Sequence, residues 1–216
     1  MARLGNSTNI IVGAAQLWTA NSVLSASTAP TFVGGTKYSD TLNADTVNFR
    51  NIGYTMNGLE IQFQPDFGEV QVDQVLDVAK LYKQGMQVNL NTTFAESILE
   101  NLLFAIAGSD GDLSDTDVLT DGYRELNLAS GNLGECPVER GLIAVGPGTG
   151  DCAPDEEIER VYVAYRALSI DNVTVAAKRD EATMFEVSFR LLPDDETGSY
   201  GKIVDRKKSY DNTPSS

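Results

Sequence analysis

The 216-residue chain contains no histidine. That removes Ser-His-Asp and Cys-His nucleophile systems together with the commonest transition-metal ligand. Cysteine occurs only as Cys136 and Cys152. This is too few for a disulfide-dense secreted scaffold, and the spacing is not that of a CxxC metal or redox pair, which leaves free thiols or one hairpin-like bridge. No apolar run approaches the roughly 18 residues of a membrane-spanning helix, and the start "MARLGNSTNIIVGAAQLWTA" lacks a signal-peptide core. A soluble protein made in the cytoplasm, with no membrane anchor, is expected. Bases are scarce as well. Sixteen Lys and Arg against 31 Asp and Glu give a net charge of -15, a sign that repels phosphate backbones and argues against ordinary nucleic-acid binding. The excess is uneven, because residues 109–160 hold 13 acids and 3 bases.

What is present is strand pattern. One domain over 1–216 is expected, with no internal repeat. From Gly53 the apolar period is two: Leu59, Ile61 and Phe63 fall on one face, Glu60, Gln62 and Gln64 on the other. Asn57-Gly58 suits a turn needing positive φ, and "PDFGE" at 65–69 reads as a second turn, with Pro65 ending the ladder and Gly68 left-handed. These two turns should flank a strand of the main sheet. Val70, Val72, Val75 and Val78 change phase, which predicts a bulge near Gln74. "GMQVNLNTTF" alternates again, with Met86, Val88 and Leu90 against Gln87, Asn89 and Asn91. Later strands are expected in "RVYVAYRALSI", "VTVAAKR" and "TMFEVSFRLLPD", with weak ones near "YRELNLA" and "GLIAV".

One segment departs from this period. "TTFAESILENLLFAIAGS" has Thr93 and Glu96 at capping-box spacing, a broad apolar face and Gly108 as a stop, which predicts one α-helix over about 93–107. Residues 19–45 read as a long loop or arm with a short strand near Phe32, 109–157 as an acidic, Gly-rich loop region, and 205–216 as a flexible C-terminal tail.

Candidate chemistry is thin. Asp110, Asp112, Ser114, Thr116 and Asp121 follow a calcium-loop count, but Asp115 stands where the turn glycine belongs and Asp121 replaces glutamate. "GPGTG" at 146–150 lacks the Lys-Ser/Thr of a phosphate loop. Acid pairs such as Glu156 with Glu157, or Asp194 with Asp195, sit in turn-like sequence with no sign of facing each other across a cleft. Trp18 and the aromatic residues Phe63, Phe67, Tyr162, Tyr165, Phe185 and Phe189 fall at strand spacing and suit core or subunit packing. No catalytic, cofactor or metal site is expected, so an enzyme is the least favoured class.

The order of blocks resembles the major tail, or tail tube, proteins of long-tailed bacteriophages with flexible, non-contractile tails. The resemblance is carried by "NIGYTMNGLEIQFQPDFGEVQVDQVLDVAKLYKQGMQVNLNTTFAESILENLLFAIAG", with its "GYT..G" and "PDFGEV.VDQ" turns and "FAESILENL" helix, and by the ending "FEVSFRLLPDDETGSYGKIVDR". It implies a mainly β protein, an antiparallel β-sandwich or barrel flanked by one helix. Six copies would form a ring, and rings would stack into a hollow tube in the virion tail, through which the genome leaves. The implied partners are other copies of the chain, a tape-measure protein, a tail terminator and distal tail proteins. DNA would pass without specific binding, and assembly would take place in the host cytoplasm.

Segments 19–45 and 205–216 are where such a chain would carry inter-ring arms. Glu60, Gln62 and Gln64 become candidates for a lumen or subunit-interface face. Independently of the resemblance, a conduit that meets DNA without gripping it should be neutral or acidic. Two other classes fit a strand-rich, His-free composition. One is a different virion β-protein: a tail terminator, capsid decoration or head-tail joining subunit. The other is an adhesive or carbohydrate-binding β-sandwich, for which export signals and aromatic platforms are missing.

Overall fold

The computed structural model describes residues 11, 13–32, 36–71, 73, 77–114, 116, 118–128, 134, 136–149, 158–176, 179–180 and 182–207. Eight strands lie in chain order as β1 (Gln16–Ala20), β2 (Phe49–Asn51), β3 (Thr55–Val70), β4 (Lys80–Phe94), β5 (Arg140–Pro147), β6 (Ile158–Ser169), β7 (Phe185–Leu192) and β8 (Gly201–Lys207). The helices are α1 (Tyr38–Ala44), α2 (Leu99–Ala105) and α3 (Val118–Asp121), with a 3-10 turn at Asp110–Asp112. The strands form one sheet of order β2-β1-β5-β6-β7-β4-β3, to which β8 adds by pairing with β6. Every pairing is antiparallel. The chain is mainly β, as its alternation predicts.

The sheet encloses one core and carries a second on its back. Leu17, Leu142, Ala144, Ala164 and Ala167 from β1, β5 and β6 meet Val88, Leu90, Val187, Phe189 and Leu191 from β4 and β7. Because the side-chain period is two, Trp18, Ile143, Val145, Val161 and Val163 point the other way, where Leu24, Ala29 and the α1 residues Tyr38 and Leu42 cover them. This explains why "GLIAV" looks weak as a strand signal: β5 is buried on both faces, so it reads as a continuous apolar run without alternation. α2 closes one end of the first core, with the Phe104 ring 4.8 Å from Phe189 and 6.2 Å from Phe94.

Several expectations need correction. The helix is shorter than 93–107 and has no Thr93–Glu96 cap: Ile98 is its N-cap residue, with no side-chain cap hydrogen bond. Thr93 is held in β4 between Met56 and Glu186, because the ladders to β3 and β7 both run on to Phe94. The Glu96 carboxylate accepts from the Tyr54 backbone N–H at 2.8 Å. At its C-terminus Ala107 takes the left-handed conformation (φ 53), and Gly108 N–H donates to Leu103 O at 2.9 Å. The helix therefore ends in a Schellman motif one residue earlier than the glycine suggests.

Asn57 (φ 63) and Gly58 (φ 74) do adopt positive φ, but as an irregularity inside β3 between Met56 and Leu59, not as a hairpin turn. Pro65 also lies within β3, opposite Met86, which is tolerated because β3 is an edge strand. Gly68 is not left-handed; a Cβ there would meet the Tyr82 ring at 2.5 Å, so glycine admits its cross-strand neighbour.

Of residues 19–45, Thr19 and Ala20 end β1 and Tyr38–Ala44 form α1, while 21–32 and 36–37 lie in no helix or strand; Phe32 is in no strand and rests against Tyr38, ring centroids 4.7 Å apart. Among the described residues there are three α-helices where one was expected. "VTVAAKR" forms no strand over 173–176, and "YRELNLA", over its described residues 123–128, makes only a Leu113–Leu126 bridge. Residues 205–207 belong to β8, whereas 208–216, Val72, Gln74 and Val75 lie outside the described residues.

Candidate functional site

The alternation that turns the half-buried Leu59 and Ile61 toward the core puts Glu60, Gln62 and Gln64 on the opposite face of β3, all exposed. The β3–β4 register places Asn91, Asn89 and Gln87 directly across from them. The β4–β7 register extends two of these rows, setting Ser188 beside Asn91 and Arg190 beside Asn89, with Glu186 beside Thr93. Three strands thus present one polar surface built mainly of carboxamides.

Its side chains bond to one another. Gln62 donates to the Glu60 carboxylate at 2.7 Å, Gln87 donates to Asn89 Oδ1 at 3.2 Å, and the Ser188 hydroxyl meets Asn91 Oδ1 at 2.7 Å. A shallow depression of about 520 Å³ lies over Glu60, Gln62, Asn89, Asn91 and Ser188, bordered by Asp171. Among its described lining residues there is no Lys or Arg, and the nearest base in the rows is Arg190. Such a surface hydrogen-bonds water well but offers phosphates almost no attraction.

Sequence reasoning finds the β3 part of this face and the alternation of Gln87, Asn89 and Asn91. It misses Ser188 and Arg190, because nothing local links them to residues some 97 positions away, the separation of the Asn91–Ser188 pair. The register alone brings them together.

On the opposite side, β3 and β4 run past the end of β7. β7 pairs with β4 only from Val88 to Phe94, so Lys80–Gln87 are paired with β3 alone among the described strands. Between this overhang and the β6–β8 pair lies a cavity of about 640 Å³, with Phe63, Met86, Tyr162 and Ile203 in its wall. Tyr200 bridges part of it by donating its hydroxyl to the Met86 carbonyl.

The remaining candidates are occupied structurally. Asp110 pairs with Arg140 at 2.5 Å, Asp112 accepts from the Ser109 N–H at 3.0 Å, and Ser114 bonds Thr116 at 2.8 Å. Among the described residues no group of three or more acids or cysteines is placed to hold a metal. Asp194 is buried and bonded to Thr197, while Asp195 pairs with Arg166 at 2.7 Å, so the two do not face each other. Gly146 and Pro147 close β5, Gly150, Glu156 and Glu157 lie outside the described residues, and Cys136 is exposed while Cys152 also lies outside them.

A buried hub ties the acidic segment to the core. Asn101, fully buried, donates to Ile52 O at 2.9 Å and Glu96 O at 3.0 Å, and accepts from Arg50 at 2.7 Å. Burial lowers the Arg50 pKa, against which Glu100 acts. Arg124 pairs with the same Glu100 at 2.5 Å.

No protein-family model matches the chain, and no curated protein matches it in sequence. Among the described residues no helix is long and apolar enough to cross a membrane.

Proposed function

We propose that this chain is a structural virion protein that assembles into stacked rings, six copies to a ring, forming the hollow tail tube of a long-tailed bacteriophage. The observation that carries the reading is the carboxamide face of β3, β4 and β7, lysine-free in its described lining, on a sheet that ends in the 16-residue edge strand β3. An exposed edge of that length is a liability in a monomer and a joint in an assembly. Joining such edges around a ring would turn separate faces into a continuous polar lining.

The lining would suit passage of DNA. Each Lys–phosphate contact releases counterions and adds affinity, hence friction, whereas amides and water exchange hydrogen bonds at little net gain. A net charge of -15 acts in the same direction. The ends of the tube would meet a tail terminator and distal tail proteins, and the lumen would hold a tape-measure protein during assembly. The chain would act in the virion, after assembly in the host cytoplasm, with no catalytic step and no cofactor.

The test is assembly of the purified chain. Sedimentation over a range of concentration and salt, with negative-stain imaging, is expected to show rings and hollow tubes. A chain that remains monomeric throughout, together with virions whose tails do not label with antibody against it, would refute the proposal.

A further inference from the structure

We propose that Asn57 is a site of spontaneous deamidation, at which the Gly58 amide closes a ring on the side chain and water opens it to aspartate or isoaspartate. The chemistry is a property of the folded chain and does not depend on the tail-tube reading.

Every step uses only the main chain and water. The Gly58 nitrogen attacks Cγ of Asn57: a bond forms between them, the Cγ–Nδ2 bond breaks, and the proton of the attacking nitrogen leaves with Nδ2 as ammonia. The product is a cyclic imide. Water then adds to one of its two carbonyls. Opening at Cγ restores the ordinary main chain with a carboxylate side chain, and opening at the Asn57 main-chain carbonyl leaves isoaspartate, whose main chain is one carbon longer. Nothing is oxidised or reduced.

Sequence and fold both favour this position. Asn57-Gly58 is the one Asn-Gly pair in the chain, and glycine lacks the side chain that would hinder ring closure. Strand structure ordinarily opposes the reaction, because ladder bonds hold the attacking nitrogen in an extended main chain. Here the ladder skips the pair. Met56 stands opposite Thr93 and Leu59 opposite Thr92, so neither Asn57 nor Gly58 has a residue in register across from it. Both take positive φ, 63 and 74. Apart from adjoining residues, nothing lies within 4 Å of the place a Gly58 Cβ would occupy, and Asn57 is exposed, so the ring has room and water has access. The side chain is also unrestrained. Among the described residues no hydrogen bond holds the Asn57 carboxamide, whereas Asn43, Asn51, Asn91 and Asn101 each accept one through Oδ1.

The product has a defined place. Asn57 lines the same depression as Glu60, Asp171 and Glu186, so each conversion adds a carboxylate beside theirs. The extra main-chain carbon of isoaspartate falls where β3 already carries two residues that β4 does not match, an irregularity that takes up length without moving Leu59 and Ile61 out of register. The polar face therefore changes charge in one direction with time.

Ageing the purified chain in mildly alkaline buffer tests this. The tryptic peptide spanning 51–80 should gain one mass unit, placed by fragmentation at position 57, and should separate into two products by chromatography. The folded chain should react within about tenfold of the rate of the urea-unfolded chain, since the site needs little or no opening. Asn57→Gln, whose longer side chain closes the ring poorly, should keep the thermal transition and lose the mass gain. Asn51 lies in the same peptide and serves as an internal control, because its Oδ1 accepts from Gly53 N–H. The inference is overturned if position 57 gains no mass, or if it reacts more than about tenfold more slowly folded than unfolded. Neither result bears on ring assembly, so failure here leaves the tail-tube proposal standing, and failure of that proposal leaves this one standing.

Discussion

Gln62 of β3 stands opposite Asn89 of β4, and Arg190 of β7 continues the row on the far side of Asn89. This row crosses the middle of the carboxamide face and is the place to change its charge. Gln62→Lys with Asn89→Lys sets two lysines opposite each other beside Arg190, so it should cost up to about 1 kcal/mol of stability while leaving the fold intact. The double variant should acquire affinity for duplex DNA that wild type lacks. With two added phosphate contacts, the log-log salt slope should approach about -2 for each bound chain. Fluorescence anisotropy at two salt concentrations measures it, and a salt-independent or absent gain would show that this face does not meet DNA.

Asn101 should be among the costliest polar residues to replace. Asn101→Leu removes two donors and one acceptor at a buried site, taking a partner from the Ile52 and Glu96 carbonyls and from Arg50 Nη1, while Arg50 Nη2 keeps its bond to Glu100 O. Each group left unpaired carries a penalty of about 1–3 kcal/mol. Urea unfolding should show a loss of at least about 2 kcal/mol with an unchanged m-value, whereas Asn91→Leu on the open face should lose less than about 1.

Gly53 and Glu96 should be coupled. Gly53 sits at φ 89, and a Cβ there would fall on the Glu96 carboxyl group, whose Oε1 accepts from Tyr54 N–H. Gly53→Ala should therefore destabilise by more than Gly58→Ala, where φ is 74 but the space is open. Glu96→Ala should recover part of the Gly53→Ala loss by making room, a non-additivity on the order of 1 kcal/mol in a thermal double-mutant cycle. Strict additivity would mean that backbone conformation alone sets the cost.

The β6–β8 pairing should respond to acid. Arg160 hydrogen-bonds both Asp205 oxygens at 2.5 Å, and this lowers the Asp205 pKa. A carboxyl group depressed in the folded state adds stability above its unfolded value, about pH 3.9, and loses it as pH falls through the lower folded value. The pair is 27% and 40% exposed, so its worth is about 0.2–1 kcal/mol. The stability difference between wild type and Asp205→Asn should be present at pH 7 and vanish towards pH 2. A difference independent of pH would assign the effect to packing.

Much of β3, β4, β6 and β7 is legible in the sequence because alternation is a local property. Leu59–Ile61 and Val88–Leu90 announce their faces whatever lies opposite. The helix at 99–105 was legible in kind but not in extent: Thr93 and Glu96 have the spacing of a cap, and ladder bonds on both sides of β4 outcompete it. The same competition turns Asn57-Gly58 from a hairpin turn into an irregularity within a strand. α1 within 19–45 is not legible, because it forms where Trp18, Ile143 and Val163 leave an apolar face that Tyr38 and Leu42 cover. No local pattern in "YSDTLNA" records that demand.

The sequence by itself determined the class of the protein. Its strand period places it among mainly β proteins and puts Glu60, Gln62 and Gln64 on one face. Tertiary structure decided what that face joins. Asn89, Asn91, Ser188 and Arg190 come beside it only through strand order and register, which depend on which distant apolar rows bury each other. It also decided where the core stays open, because the mismatch between a 15-residue β4 and an 8-residue β7 is a relation between two strands and appears in neither alone.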